Sequence, residues 1–223
     1  IDAALGRGRH QPDTAEDRDR SPAQRFARML TELGPTFVKM GQLLSTRPDL
    51  VPEEYIDTLR ALQDRVPPFP IDEVRGIFRE EFDRPPEDLF ASFAPEPTAS
   101  ASIAQVHMAT MHDGLEVAVK VKRPGIERTV RSDLDILYYL AHLIEAVVEE
   151  TALYDPVEIV KQFDQAVGHE MDLAREADNL RTFAANFEKR DNLLIPRPID
   201  ELSSGRVLTM CCVVGRRVEE CVG

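Results

Sequence analysis

Between Leu115 and Lys122 the chain alternates strictly, with Val117, Val119 and Val121 on one side and Ala118 and Lys120 on the other. A period of two is the signature of a strand with one face turned to a core and the other facing elsewhere. The run Ile103 to Thr110 has the same β-rich character, and His112-Asp113-Gly114 between the two runs is a hairpin turn signal. A helix-period pattern cannot supply this alternation, so the chain holds a β-hairpin, and with helical patterns on either side of it the expected fold is α+β.

The sequence on either side reads as helix. Residues 1–20 mix charge, glycine and polar side chains without apolar periodicity and are expected to form a flexible arm. Ser21-Pro22 is an N-cap followed by a first-turn proline, and Phe26, Met29, Leu30 and Leu33 follow at helical spacing up to Gly34. Pro35 opens a second helix with Phe37, Met40, Leu43 and Leu44 as its apolar stripe, leaving Lys39 and Gln42 three apart on a neighbouring face. A third helix is expected from Pro52 with Tyr55, Ile56, Leu59 and Leu62, closed by Pro67-Pro68-Phe69-Pro70, and a fourth over 71–82. Beyond the hairpin, two long helices are expected at about 126–150 and 156–189, the second capped by Asp155-Pro156. A second hairpin then turns at Ser203-Ser204-Gly205 into an outgoing strand over Arg206 to Val214. The division expected is an arm at 1–20, a helical extension at 21–92, a sheet-bearing lobe at 93–215 and the start of a linker at 216–223.

Charge and cysteine usage exclude several classes. A net charge of -13 with pI near 4.9 argues against nucleic-acid binding, which rests on clustered Lys and Arg. The three cysteines, Cys211, Cys212 and Cys221, have neither CxxC spacing nor nearby histidine, so no zinc site or disulfide framework is indicated and reduced thiols in a cytoplasmic setting are expected. No apolar run reaches the roughly 18 residues a membrane-spanning helix requires, and no signal peptide opens the chain. The first residue is Ile1, not Met, and the last is Gly223 after an apolar stretch, so both ends read as cuts in a longer protein.

The chemistry centres on Ala99-Ser100-Ala101-Ser102-Ile103-Ala104-Gln105-Val106 and the later Val117-Ala118-Val119-Lys120. Protein kinases place G-x-G-x-x-G-x-V and then V-A-I-K at this spacing: glycine backbone covers phosphates, Val and Ala enclose adenine, and the Lys holds the α- and β-phosphates. Here Ala99, Ala101 and Ala104 stand at the glycine positions. Alanine still lets backbone amides approach phosphate, but its Cβ penalises positive φ, so the loop is expected to be stiffer than a glycine loop. The plain alternative is a small-residue hairpin with a solvated lysine.

Such a lysine needs a helical glutamate to orient it. The segment His169 to Asn179 offers Glu170, Asp172 and Glu176; on one continuous helix Glu170 and Glu176, six positions apart, point in different directions and serve two different lysines. A merely charged helix face fits the same residues. The strand Arg206 to Gly215 fits the last strand of a kinase small lobe entering its hinge, which places Met210 and Cys212 beside an adenine; an interior strand is equally consistent with those residues alone.

Across residues 21–220 these elements resemble the UbiB family of atypical kinase-like proteins. Lys39, Gly41 and Gln42 within Leu33 to Leu50 form the KxGQ signature, Glu170-Met171-Asp172 the ExD signature, and Leu62 to Pro68, the alanine-rich loop and Ser102 to His107 also match. The resemblance implies a kinase-like N-lobe, a small antiparallel sheet of about five strands plus long helices, under a helical KxGQ extension. It implies that Lys39 and Gln42 regulate the site, with Lys39 near Glu170 and Asp172, and that Lys120 pairs with Glu176 as the catalytic couple. Ala99, Ser100, Ala101, Ser102, Ala104, Val106, Ala118, Lys120, Met210 and Cys212 are then the nucleotide-binding residues. The cofactor implied is ATP or ADP with Mg²⁺. The partners implied are quinone-precursor lipids and quinone-biosynthesis proteins, with membrane association only for the full-length protein.

Two departures stand out: Ser100 replaces an alanine usual in the loop, and Cys211-Cys212 occupies the hinge pair. The metal-holding Asp and Asn and the catalytic Asp of a kinase lie C-terminal to the hinge. No metal ligand is therefore expected within this chain, which alone is expected to be inert. The competing expectation is a pseudokinase-like scaffold that senses nucleotide or lipid.

Overall fold

The computed structural model describes residues 20–62, 66–147, 155–190, 192–213 and 215. The expected N-terminal arm up to residue 19 and the linker at 216–223 lie outside the described residues. Described residues up to 62 and those from 66 onward form two compact units.

The first unit holds three helices: α1 (Pro22–Leu33), α2 (Pro35–Leu44) and α3 (Glu53–Arg60). The expected N-cap is present as a reciprocal capping box, Ser21 Oγ accepting from Gln24 N at 3.2 Å and Gln24 Oε1 from Ser21 N at 3.0 Å. Pro52 is the N-cap of α3, not its first residue, and α3 ends at Arg60, well before the proline turn. Leu30, Phe37, Val38, Ile56 and Leu59 are buried in this unit. Gly41 sits where the three helices meet: a Cβ there would lie 2.5 Å from Leu62 Cδ1, 2.8 Å from Leu30 Cδ1 and 3.3 Å from Leu59 Cδ2.

The second unit contains α4 (Ile71–Phe82), the short α5 (Pro86–Leu89), β1 (Ser92–Phe93), β2 (Ala99–Ser100), β3 (Ala104–Thr110), β4 (Glu116–Lys122), α6 (Ile126–Val147), α7 (Pro156–Glu170), α8 (Leu173–Asn186), a 3₁₀ turn (Asp200–Leu202) and β5 (Val207–Cys211). The five strands make one antiparallel sheet in which β3 pairs β4 and β4 pairs β5, while β1 and β2 both pair the outer edge of β3. The fold is thus the expected α+β lobe with a small five-stranded antiparallel sheet.

Alternation along β3 and β4 divides the sheet into two faces. Gln105, His107 and Ala109 oppose Val121, Val119 and Val117 on the core face, where α4 contributes Val74, Ile77 and Phe78 and the Phe78, Phe90 and Phe93 rings meet at centroid distances near 6 Å. Val106, Met108, Ala118, Lys120, Leu208 and Met210 occupy the other face, with Lys120 opposite both Val106 and Leu208 and Ala118 opposite both Met108 and Met210. Helix α8 packs there through Leu173 and Ala177 against Leu208, with Leu180 and Met210 alongside.

The structure corrects three expectations. Residues 156–189 are two helices, not one: Met171 caps α7, and Asp172, with non-helical φ -97° and ψ 96°, N-caps α8 by accepting from Ala174 N at 3.1 Å and Arg175 N at 3.2 Å. Apolar spacing from Val160 through Ala177 reads continuously, but a helix cannot pass a residue whose side chain has taken over the next turn's amides. Ala99 and Ser100, expected as loop, are a paired strand, while Ile103 precedes β3. The second hairpin's incoming arm is a single bridge from Pro198 to Met210 plus the 3₁₀ turn, and β5 stops at Cys211. Residues 148–150 and Val214, the ends of two expected elements, lie outside the described residues.

Candidate nucleotide site

Lys120 Nζ donates to Glu176 Oε2 at 2.7 Å, joining β4 to the first turn of α8. The two side chains are 25% and 37% exposed, so the pair contributes at most about 1 kcal/mol to stability; what it offers is a fixed ammonium position on the sheet face. The sequence expectation that Glu170 and Glu176 share a helix fails with the break at Asp172. Glu170 ends α7 and is exposed, whereas Glu176 meets Lys120.

A second lysine escaped sequence reasoning. Lys122 lies two residues along β4, hence on the same face about 7 Å away. Its side chain is 8% exposed, and its Nζ donates to Met171 O at 2.9 Å and to Glu127 Oε1 at 2.7 Å, which holds the Glu127 carboxyl below its ordinary range. Lys120 and Lys122 therefore grip the α7–α8 junction on both sides of Asp172. The Lys-x-Lys spacing at the end of β4 was the available signal.

The alanine-rich segment is a tight hairpin. Ala99 pairs with Val106 and Ser100 with Gln105, and Ala101 N donates to Ala104 O at 2.8 Å. Its residues all have negative φ, which explains how alanine can stand at the three positions where kinases use glycine. Ser102 and Ala104 are buried. Arg123 pins the hairpin: its N donates to Ile103 O at 2.7 Å, and Nη2 reaches Ala101 O at 3.1 Å, Ser100 Oγ at 3.3 Å and Pro67 O at 3.0 Å, with the guanidinium 5.2 Å from the Phe69 ring centroid. Ser100 thus has a bonding partner that an alanine would lack. Arg123 was not among the sequence candidates, because nothing in the strand pattern marks the residue after its end.

Behind the hairpin, the buried Gln105 uses Oε1 to accept from Phe69 N at 3.0 Å and Nε2 to donate to Phe69 O at 3.3 Å and to His107 Nε2 at 2.9 Å. Gln105 Nε2 being a donor, His107 Nε2 must accept, so the proton sits on Nδ1 and is donated to Ala94 O at 2.8 Å. Burial lowers the His107 pKa, opposed by that carbonyl and by Glu96. These two members of the Ser102 to His107 motif face the core, away from Lys120.

Val106, Ala118 and Met210 lie half-buried on the site face around Lys120. Cys212 differs in kind: its N–H donates to Glu116 O at 3.0 Å, extending the β4–β5 ladder. That amide is committed within the sheet and is not an adenine donor. In the first unit Gln42 Nε2 donates to Leu62 O at 3.1 Å, tying α2 to the end of α3, and Lys39 is half-buried on α2. Among the described residues no group of three or more His, Cys, Asp or Glu is arranged to hold a metal, and no helix is long and apolar enough to cross a membrane.

Residues 61–222 match the ABC1 atypical kinase-like domain. The chain is 48% identical to the probable protein kinase UbiB of Marinobacter nauticus over 176 residues, covering 79% of this chain and 32% of that protein. It is 42% identical to the protein of the same name from Pseudomonas aeruginosa over 186 residues, 83% of this chain and 35% of the relative. It therefore spans about a third of the length of these curated relatives. Among solved structures, the Rv3197–erythromycin complex from Mycobacterium tuberculosis superposes with a TM-score of 0.57 at 30% identity, covering 86% of this chain and 48% of that one. A lysine held by a helical glutamate on a five-stranded lobe, and these matches over most of the sequence, place the chain in the ABC1 atypical kinase-like family alongside the UbiB proteins.

Proposed function

We propose that this chain is the nucleotide-binding lobe of an ATP-dependent atypical kinase or ATPase that acts in the biosynthesis of ubiquinone or another quinone lipid. The Lys120–Glu176 pair carries the reading: a cation fixed at 2.7 Å by a helix-borne carboxylate, beside the small or apolar Val106, Ala118, Leu208 and Met210 on the same face. Lys120 would hold the α- and β-phosphates, and Glu176 would keep its ammonium in place. Val106, Ala118 and Met210 offer the half-buried bed that an adenine ring requires, and the pinned hairpin Ala99, Ser100, Ala101, Ser102 and Ala104 would lie along the phosphates. Cys212 would contribute through its carbonyl or side chain, since its amide is taken.

Bound ATP with Mg²⁺ would supply the transferable phosphoryl group. The metal ligands belong, on this reading, to a further lobe, and these 223 residues alone are inert. Lys39 and Gln42 from the KxGQ helix and Glu170 and Asp172 of the ExD turn would regulate access to the site. Quinone-precursor lipids and the proteins that process them are the partners proposed for the whole protein.

The test is Mg-ATP binding and turnover by the full-length protein carrying Lys120→Ala or Glu176→Gln. Loss of nucleotide affinity with retained thermal stability is expected. Unchanged turnover in Lys120→Ala refutes the assigned role, and binding without any turnover in the unaltered protein favours the nucleotide-sensing scaffold.

A further inference from the structure

Helix α6 has two apolar faces. One, with Ile126, Val130, Leu134, Leu137 and Ala141, is buried; the other, with Ile136, Tyr139, Leu140, Leu143, Ile144 and Val147, is between 44% and 72% exposed. At 100° per residue the exposed six fill an arc of about 140° over three turns, and no charged residue between Ile136 and Val147 falls inside it. We propose that this face pairs two copies of the chain through antiparallel α6 helices related by a two-fold axis passing between Ala141 and His142.

The pattern of the six residues selects a second copy as the occupant. Reversing the helix about that axis exchanges Ile136 with Val147, Tyr139 with Ile144 and Leu140 with Leu143, so every apolar residue meets an apolar residue at its own height. The set is symmetric around the helix as well as along it, so the reciprocal contacts that a two-fold axis generates are apolar on both sides. The area is also sufficient. Six such side chains expose on the order of 600 Å² per copy, so a pair removes at most roughly 1,200 Å², the lower edge of stable interfaces, and a patch of that size is at the upper limit of what a monomer leaves open.

A lipid surface is the poorer match. Helices that lie in a membrane interface flank their apolar face with Lys and Arg. From Ser132 to Val147 α6 has no Lys or Arg; its acidic residues there are Asp133, Asp135 and Glu145, in a chain of net charge -13.

The test has two parts. Sedimentation velocity of the chain over a concentration series is expected to show a monomer–dimer equilibrium that Leu143→Glu weakens by about a hundredfold, with far-UV circular dichroism unchanged. In full-length protein whose native cysteines are replaced by serine, Ile136→Cys and Val147→Cys mixed together are expected to cross-link with a short bifunctional maleimide, while neither variant links to itself. A monomer at every concentration, a dimer indifferent to Leu143→Glu, or self-linking of Ile136→Cys overturns the proposal. So does a chain that stays monomeric yet binds phosphatidylglycerol vesicles through these residues.

Discussion

Replacing Gly41 by alanine tests whether the glycine of the KxGQ signature is a packing residue. On a solvated helix the change stabilises by about 1 kcal/mol through propensity alone. At Gly41 the added Cβ would sit 2.5 Å from Leu62 Cδ1 and 2.8 Å from Leu30 Cδ1. Carbon atoms rest at about 3.5–4.0 Å, so two leucine side chains must each retreat by roughly 1 Å in a close-packed site. Overpacking of this kind costs about 1–3 kcal/mol, which cancels or outweighs the propensity gain and leaves a net loss of about 0–2 kcal/mol. Gly76 in α4 is the internal control: a Cβ there meets nothing within 4 Å, so Gly76→Ala should stabilise by about 0.5–1 kcal/mol. Urea denaturation of both variants, with the first unit followed through amide protection in α1 to α3, reads the two signs separately. A Gly41→Ala chain as stable as Gly76→Ala would refute the packing argument.

Gln105→Leu strands the Phe69 amide and carbonyl and the His107 ring nitrogen, and a loss of about 3–5 kcal/mol in urea melts is expected; under 1 kcal/mol would show the ladder to be ornamental. Because burial keeps His107 neutral in the folded state, stability should be flat above the ordinary histidine pKa of about 6.5 and fall as pH drops below it, where only the unfolded chain takes up the proton. Melting temperatures recorded against pH for the native chain and for His107→Phe should differ in slope only on that acid side. Asp172→Ala removes the carboxylate oxygen that accepts from two amides at the start of α8 and should cost about 1 kcal/mol.

Local rules made much of this lobe legible before any coordinates. The Ser21 cap, the first-turn prolines Pro22, Pro35 and Pro156, the period-two run in β4 and the His112-Asp113-Gly114 turn each act over a few residues, so propensity and periodicity read them correctly. The family resemblance paired Lys120 with Glu176, and the fold brings the two to 2.7 Å from 56 positions apart in sequence. The break at Asp172 was also written locally, as an N-cap residue ahead of an acidic first turn, but continuous apolar spacing masked it.

What the tertiary structure alone decided were contacts made across sequence distance. Arg123 reaching back to Ser100 and Ala101, Lys122 holding the carbonyl of Met171, the Cys212 amide committed to Glu116 and Gly41 closing three helices have no periodic signature. The bonds to Ala101, Met171 and Glu116 depend on which backbone groups are left within about 3 Å once the sheet and helices have packed, and the Ser100 and Gly41 contacts on which side chains packing brings alongside. The sequence by itself thus determined which elements form, because these follow from side-chain pattern, while the pairing of Lys120 with Glu176 was implied by the family resemblance. Only packing determined what holds the hairpin and the ExD turn in place, because those bonds use main-chain atoms whose positions no side-chain pattern encodes.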